Sequence, residues 1–351
     1  MSAPFPATCP TPLNNSARVL LGHGSGGKLS ANLLSEVFLR VFRSPVLERM
    51  EDQAVVNIGG ARVAFTTDTF VVKPLFFRGG DIGSLAIHGT GNDLAMGGAE
   101  PLFLSTGFIL EEGLEMDTLQ RVAESMAAAA QAAGVEIVTG DTKVVEKGSG
   151  DGLFINTTGI GIVRDGVNLS AANARPGDRI IVSGTLGDHG IAILSEREGI
   201  GFDGTIASDS APLHTLVRAM LDADRNAGIR CMRDPTRGGL ASSLNEIAAR
   251  AKVGMELNES AIPIREEVRG ACEMLGLDPL YVANEGKLVA VVAPEAVDSV
   301  LAAMNAHDLG KEAWVIGTVT PKHPGLVTAR TPFGTTRIVD MLSGDQLPRI
   351  C

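Results

Sequence analysis

The chain has 351 residues, 44% hydrophobic and 20% charged, with a formal net charge of -11; that is too long for one ordinary core, suits two domains, and is globular in composition. So acidic a chain argues against nucleic acid as a partner, whereas small phosphorylated ligands stay open because local backbone amides and metal ions overrule net charge. No run of 18 apolar residues occurs, so no membrane-spanning helix and no membrane partner are expected.

Residues 1–17, rich in Pro, Ser and Asn, read as a tail and lack the basic start and apolar stretch of a signal peptide. Residues 22–28 (GHGSGGK) form a glycine-rich loop that opens a helical pattern over 29–41, and 1–44 is taken as tail plus loop. β-Branched runs predict strands at 61–67, 70–72, 102–109 and 153–163. Leu119, Val122, Met126 and Ala130 recur at helical spacing within 117–133. A second helix is predicted over 81–96, weakened by Gly89 and Gly91.

The turn-rich stretch 164–178 separates a first domain, 45–168, from a second, 175–340. In the second, strands are predicted at 179–182, 287–292, 313–319 and 335–339. They interleave with helices at 190–198, 212–226, 238–251, 265–275 and 295–306. Such mixed order predicts an α/β (α+β) protein of two layered domains. Residues 341–351 show no periodicity and read as a flexible arm ending in Cys351. Cys9, Cys231, Cys272 and Cys351 form no CxxC pair, which gives zinc and iron–sulfur sites no support and fits thiols in a reducing cytoplasm.

Asp52, Asp68, Asp93, Asp141 and Asp234 stand beside glycine or in short polar segments, which the pattern takes for turns. Hard cations such as Mg²⁺ take oxygen ligands shared between carboxylates and phosphate. Asp is equally at home in turns and helix N-caps, so each residue alone has a second explanation. The loop at 22–28 offers backbone N–H groups ahead of a helix, suited to phosphate, but Leu29 follows Lys28 where a Walker A loop needs Ser or Thr. Cys351 carries a thiol at the end of an arm, able to move a bound group between two sites.

Together these segments resemble the HypE family of hydrogenase-maturation proteins, within the superfamily of aminoimidazole ribonucleotide (AIR) synthetase and selenophosphate synthetase. The segments are GHGSGGK at 22–28, TDTFVV at 67–72, PLFFRGGDIG at 74–83, GNDLAMGGA at 91–99, GDTK at 140–143, RDPTRGGL at 233–240, ANEGK at 283–287 and PRIC at 348–351. The aspartate motifs are common to the superfamily and speak for ATP; ANEGK and the terminal PRIC single out the family. Selenophosphate synthetase is the nearest alternative, but 20–30 holds no cysteine. A non-catalytic cyano carrier is a second.

The resemblance implies an ATP- and Mg²⁺-dependent carbamoyl dehydratase. A carbamoyltransferase, HypF, loads a carbamoyl group onto Cys351. ATP then phosphorylates its oxygen, and loss of phosphate leaves a thiocyanate that passes to an iron scaffold of HypC and HypD. It implies that Asp52, Asp68, Asn92, Asp93, Asp141, Thr142 and Asp234 bind nucleotide, with Asp68, Asp93 and Asp141 on the metal. It further implies that Gly24, Gly26 and Gly27 cover the nucleotide, and that Lys143 and Glu285 lie near the thiol for charge stabilisation and proton removal. Finally, it implies an AIR synthetase-like two-domain fold whose N-terminal sheet closes a barrel across a homodimer, ATP between the domains, and a looser helix at Gly91.

Overall fold

The computed structural model describes residues 18–200, 206–342, 344, 347, 350 and 351. The expected N-terminal tail and part of the expected arm lie outside these residues. After the glycine-rich loop, α1 (Lys28–Leu33) continues through a π-helical stretch, Leu34–Leu39, into α2 (Arg40–Phe42). There follow β1 (Ala54–Ile58), β2 (Ala61–Phe70), the short pair β3 (Phe76–Phe77) and β4 (Gly80–Asp81), α3 (Ile82–Met96), β5 (Ala99–Glu111), α4 (Met116–Ala133), β6 (Glu136–Val145) and β7 (Leu153–Val163).

The first sheet runs β1-β2-β7-β5-β6, antiparallel except for the parallel β5–β6 edge. Period-two alternation sends Leu153, Ile155 and Thr157 of β7 inward under α3. The other face is left open. There Phe65, Ile160 and Phe103 form one cross-strand row in register and all three are exposed.

Helix α3 starts at a true capping box. Asp81 Oδ1 accepts the N–H groups of Gly83 at 2.7 Å and Ser84 at 3.1 Å, and Oδ2 accepts the Ser125 hydroxyl of α4 at 2.6 Å. The helix passes unbroken through Gly89 and Gly91, so the loosening expected at Gly91 does not occur. Packing outweighs propensity here: a Cβ at Gly89 would lie 2.9 Å from the Phe70 ring, and Asn92 and Leu94 on either side of Asp93 are buried.

The second half comprises β8 (Arg179–Val182), α5 (Asp188–Glu198), α6 (His214–Ala223), β9 (Ile229–Arg233), α7 (Gly239–Ala251), β10 (Gly254–Asn258), α8 (Glu266–Leu275), β11 (Val289–Val292), α9 (Val297–Asn305), β12 (Trp314–Thr320), β13 (Val327–Arg330) and β14 (Thr336–Ile338). Its sheet, ordered β14-β13-β10-β12-β8-β11-β9, is mixed. Ile180 and Val182 pack with Leu240, Leu244 and Ile247 of α7, and Ile181 packs with Leu216, Val217 and Val300 of α6 and α9. Both faces are covered, which is why β8 and β11 read as unbroken apolar runs.

The two-domain α/β expectation agrees with this architecture; several details do not. The strand expected at 70–72 is the end of β2, and Val72 forms an isolated bridge to Ile350 instead. Strands β1, β6, β9, β10 and β13 carry no legible signal. β6 reads EIVTGDTKVV and is exposed along almost its whole length, so no face is marked by apolar alternation. The segment read as a loose arm is tied down at both ends: Lys28 N–H donates to Leu342 O at 2.8 Å, and Val71 N–H donates to Cys351 O at 2.9 Å.

The seam between the halves is closed by Asn92 of α3. Its amide donates to Ala211 O at 3.0 Å and Glu285 O at 3.1 Å, and its oxygen accepts Leu213 N–H at 2.8 Å. Because α3 bridges the sheet and this seam, its start is a sensitive point. Asp81→Ala is expected to lower unfolding stability by about 1–2 kcal/mol, read from the midpoint of denaturant unfolding at unchanged slope.

Candidate functional site

Four of the five singled-out aspartates meet near the seam. Asp52 lies just before β1, Asp68 within β2, Asp93 within α3, and Asp234 directly after β9. Asp68, Asp93 and Asp141 are therefore strand and helix residues rather than the turn residues expected. Burial holds the Asp93 carboxyl well above the usual carboxylate range, and Asp234, Asp68 and Asp52 push it the same way. Burial raises Asp234 likewise, with Asp52 adding to it. Thr66 Oγ1 lies 2.8 Å from Asp93 Oδ2 and 2.9 Å from Asp52 O.

Two arginines answer this negative charge. Arg233 is buried and donates to the Asp52 carboxylate and, at 2.5 Å, to Met50 O. Arg237 stands 3.6 Å from Asp68 Oδ1, and its Nη1 donates to Gly24 O at 3.2 Å.

The glycine-rich loop sits over this cluster. A cavity of about 240 Å³ opens between Gly24, Ser30, Asp52, Asp234, Thr236 and Ser242. Ser242 Oγ is buried there with no hydrogen-bond partner. The three glycines have different reasons. A Cβ at Gly26, where φ is +72°, would fall 2.5 Å from Arg237 O, and one at Gly27 would fall 2.3 Å from Leu342 O. Those two let the loop meet its own protein closely. Only Gly24 faces open space.

Cys351 is half-buried against the N-terminal core, and Ile350 is 6% exposed. The negative charge at Cys351 is the largest influence keeping Arg237 protonated, ahead of Asp68 and Glu285. Glu285 is 2% exposed, and its Oε1 has no hydrogen-bond partner. Burial, then Asp234, Asp68 and Asp209, raise its carboxyl well above the ordinary range. The end of the chain, Arg237, Glu285 and the aspartates thus share one electrostatic environment.

Asp141, Thr142 and Lys143 do not join it within one chain. They lie on the edge strand β6, three strands from Asp68 of β2, roughly 14 Å at ordinary strand spacing. Lys143 is 70% exposed in its side chain and pairs with Asp141 at 2.7 Å. The expected approach of Lys143 to the thiol and of Asp141 to Asp68 and Asp93 is therefore not met inside the monomer. Asn92, expected at the nucleotide, spends its amide on the seam, bonding Ala211, Glu285 and Leu213. Among the described residues no three His, Cys, Asp or Glu side chains are set to enclose a metal ion.

Sequence reasoning misses Arg237, although it lies inside the RDPTRGGL segment, where a guanidinium opening a helix beside glycines is a usable signal.

Residues 50–163 match the family described as AIR synthase related protein, N-terminal domain, and residues 175–328 match its C-terminal domain. Carbamoyl dehydratase HypE of Azotobacter vinelandii is 58% identical over 329 residues, covering 94% of this chain and 96% of that protein. A crystal structure of hydrogenase maturation protein HypE in complex with ATP is 48% identical, with a TM-score of 0.80, covering 95% of this chain and 100% of that one. A HypE–HypF complex gives 49% identity and a TM-score of 0.84, covering 88% of this chain and 99% of that one. A two-domain AIR synthase-related fold and this degree of identity over nearly the whole chain lead to one assignment: the chain belongs to the HypE family of carbamoyl dehydratases, enzymes of hydrogenase maturation.

Proposed function

We propose that Cys351 carries the carbamoyl group and that the acidic cluster is where ATP, with Mg²⁺, acts on it. The observation that carries this reading is the seating of the chain end just beyond Asp68, where Val71 N–H donates to Cys351 O at 2.9 Å and Val72 bridges Ile350; the charge at Cys351 bears on Arg237 ahead of Asp68, Glu285 and Asp93. The overall change is balanced: thiocarbamate and ATP give thiocyanate, ADP, hydrogen phosphate and a proton, the carbamoyl oxygen leaving with the phosphate. ATP supplies the phosphoryl group that makes that oxygen a leaving group, and Mg²⁺ offsets phosphate charge.

The residues fit such ligands. The donor set is oxygen throughout, the orphaned Ser242 hydroxyl faces the cavity, and Gly24 leaves room for a backbone approach. Since among the described residues no three side chains enclose an ion, Asp68, Asp93 and Asp234 would share it with phosphate oxygens, as Mg²⁺ sites commonly do. Asp52 is held by Arg233 and sets the wall. Arg237 holds the negative charge at the end of the arm. The amide of the carbamoyl group must lose its protons, and Glu285, a buried carboxyl whose pKa burial raises well above the ordinary range, suits a group that takes and returns a proton.

The open face of the first sheet, with its Phe65–Ile160–Phe103 row, is suited to a second copy of the chain, giving a barrel across a two-fold axis. In that assembly Asp141, Thr142 and Lys143 act from the partner's edge strand. A HypF-type carbamoyltransferase loads the thiol, and an iron scaffold of the HypC–HypD type receives the cyano group. Among the described residues no helix is long and apolar enough to cross a membrane, and the reaction is placed in the cytoplasm.

Three outcomes are expected. Cys351→Ala binds ATP but gains no carbamoyl mass on incubation with the carbamoyltransferase; a carbamoyl adduct on that variant, followed by ATP-dependent loss of water, would put the substrate on another residue. Asp93→Asn cuts ATP hydrolysis at least tenfold, about 1.4 kcal/mol of barrier or more, with the fold intact by circular dichroism. Light scattering gives a dimer mass, and co-refolding equal amounts of inactive Asp93→Asn and Lys143→Ala recovers about a quarter of the wild-type activity, because half the dimers are mixed and each has one intact shared site. No recovery by a mixed dimer places both residues in the same subunit's site.

A further inference from the structure

The end of the chain is gripped by a group outside the acidic cluster. His189, in the first turn of α5, is fully buried, with Phe77 edge-on at a centroid distance of 5.7 Å. Its Nε2 lies 2.6 Å from Ile350 O, and its Nδ1 lies 2.8 Å from Ser208 Oγ. The protons in this chain of contacts can be placed. Ser210 N–H donates to Ser208 Oγ at 3.1 Å. The Ser208 hydroxyl, with that acceptor site used, donates its own proton to Nδ1. A carbonyl only accepts, so the proton of the neutral ring sits on Nε2 and is given to Ile350 O. Burial lowers the pKa of the imidazole, which keeps it neutral, against the opposing pull of Asp209 and of the Ile350 contact.

This relay joins parts that are distant in sequence. Ser208 N–H donates to Arg78 O at 2.8 Å, just beyond Val72, which bridges Ile350 from the other side. Val71 N–H donates to Cys351 O at 2.9 Å. Ile350 and Cys351 therefore lie between the end of β2 and α5, fixed by backbone groups on one side and by a single side chain on the other. The backbone amide of Val71, directly after β2, cannot be withdrawn, whereas the imidazole is a specific, replaceable donor.

We propose that His189 is a positioning residue for the dehydration step: its Nε2–H, fixed by Ser208, holds the carbonyl of Ile350 so that Cys351 stays against Val71, just beyond Asp68, while the carbamoyl group reacts. The role predicts an asymmetry. Dehydration needs the chain end seated and depends on His189; loading by a carbamoyltransferase needs the chain end released and does not.

The proposal rests on Cys351 as carrier for its kinetic part, and the experiment separates the two. The full-length protein is treated with iodoacetamide, with and without ATP, and the alkylation rate at Cys351 is followed by peptide mass spectrometry. In parallel, protein carbamoylated by a HypF-type transferase is mixed with ATP, and loss of water is timed in a single turnover. His189→Ala is expected to raise the alkylation rate at Cys351 about tenfold, the scale of one buried hydrogen bond. It is expected to slow dehydration by a similar factor, with ATP affinity and carbamoyl loading unchanged. His189→Gln, whose amide presents a donor near the place of Nε2 and an acceptor toward Ser208, is expected to restore both rates. Should His189→Ala fail to fold, Ser208→Ala serves instead: freeing Nδ1 to take the proton, it gives a smaller shift in the same directions. Wild-type alkylation and dehydration rates in His189→Ala, or in Ser208→Ala where that variant stands in, overturn the proposal, as does equal impairment of the Ala and Gln variants. If Cys351→Ala still gains a carbamoyl group, the carrier reading fails while the alkylation comparison still decides whether His189 holds the chain end.

Discussion

The arrangement turns on a concentration of negative charge in a place from which water is largely removed. Asp234 and Glu285 are buried and Asp93 is half-buried; Asp68 raises the cost of ionising all three, and Asp234 raises that of Asp93 and Glu285. Carboxylates so placed are tolerated because Arg233 and Arg237 enter from the second domain. Neither domain could keep its share of the cluster alone: β2 and α3 supply acids, and the end of β9 with the loop after it supplies both an acid and the arginines that answer it. The seam is thus an electrostatic joint as well as a packed one, with Asn92 spending its whole amide on closing it.

A cluster that resists ionisation when empty is also one that favours cations. Binding positive charge among these carboxylates removes the repulsion that burial imposed, so part of the stability withheld by the fold is returned on binding. The same reasoning separates Asp141 from the rest. Exposed on an edge strand and paired with Lys143, it carries none of this frustration.

Much of the fold was legible where periodicity and burial coincide. β7 and β8 are legible at their true bounds, 153–163 and 179–182, because the first is rich in β-branched residues and the second is a short apolar run, Ile180–Val182, opened by Arg179 and followed by turn-forming residues. β6 is not, because an edge strand exposed on both faces bears no mark of which side is inside. The aspartates were legible as residues but not as places. Sequence put them in turns, whereas Asp68 lies in a strand and Asp93 in a helix held through Gly89 and Gly91 by tertiary contacts such as that with Phe70. The family likeness identified Gly26 and Gly27, yet their need for φ freedom and for close approach to Arg237 and Leu342 only shows in three dimensions. His189 had no local signature at all, since what defines it is a carbonyl 161 positions away.

The fastening of Leu342 has a mechanical meaning. Its carbonyl is held by Lys28 N–H, and Lys28 Nζ grips Asp340 at 2.5 Å, so the chain has a fixed pivot just before its last nine residues. Contour length then sets a leash: nine residues span at most about 30 Å from that pivot. On the reading of Cys351 as carrier, a donor subunit that is to meet the thiol must bring its own reactive centre inside that radius. The docking distance of the partner is thereby dictated by where the arm is pinned, and lengthening the arm or moving the pin would change which partners can be served without altering a single atom of the site.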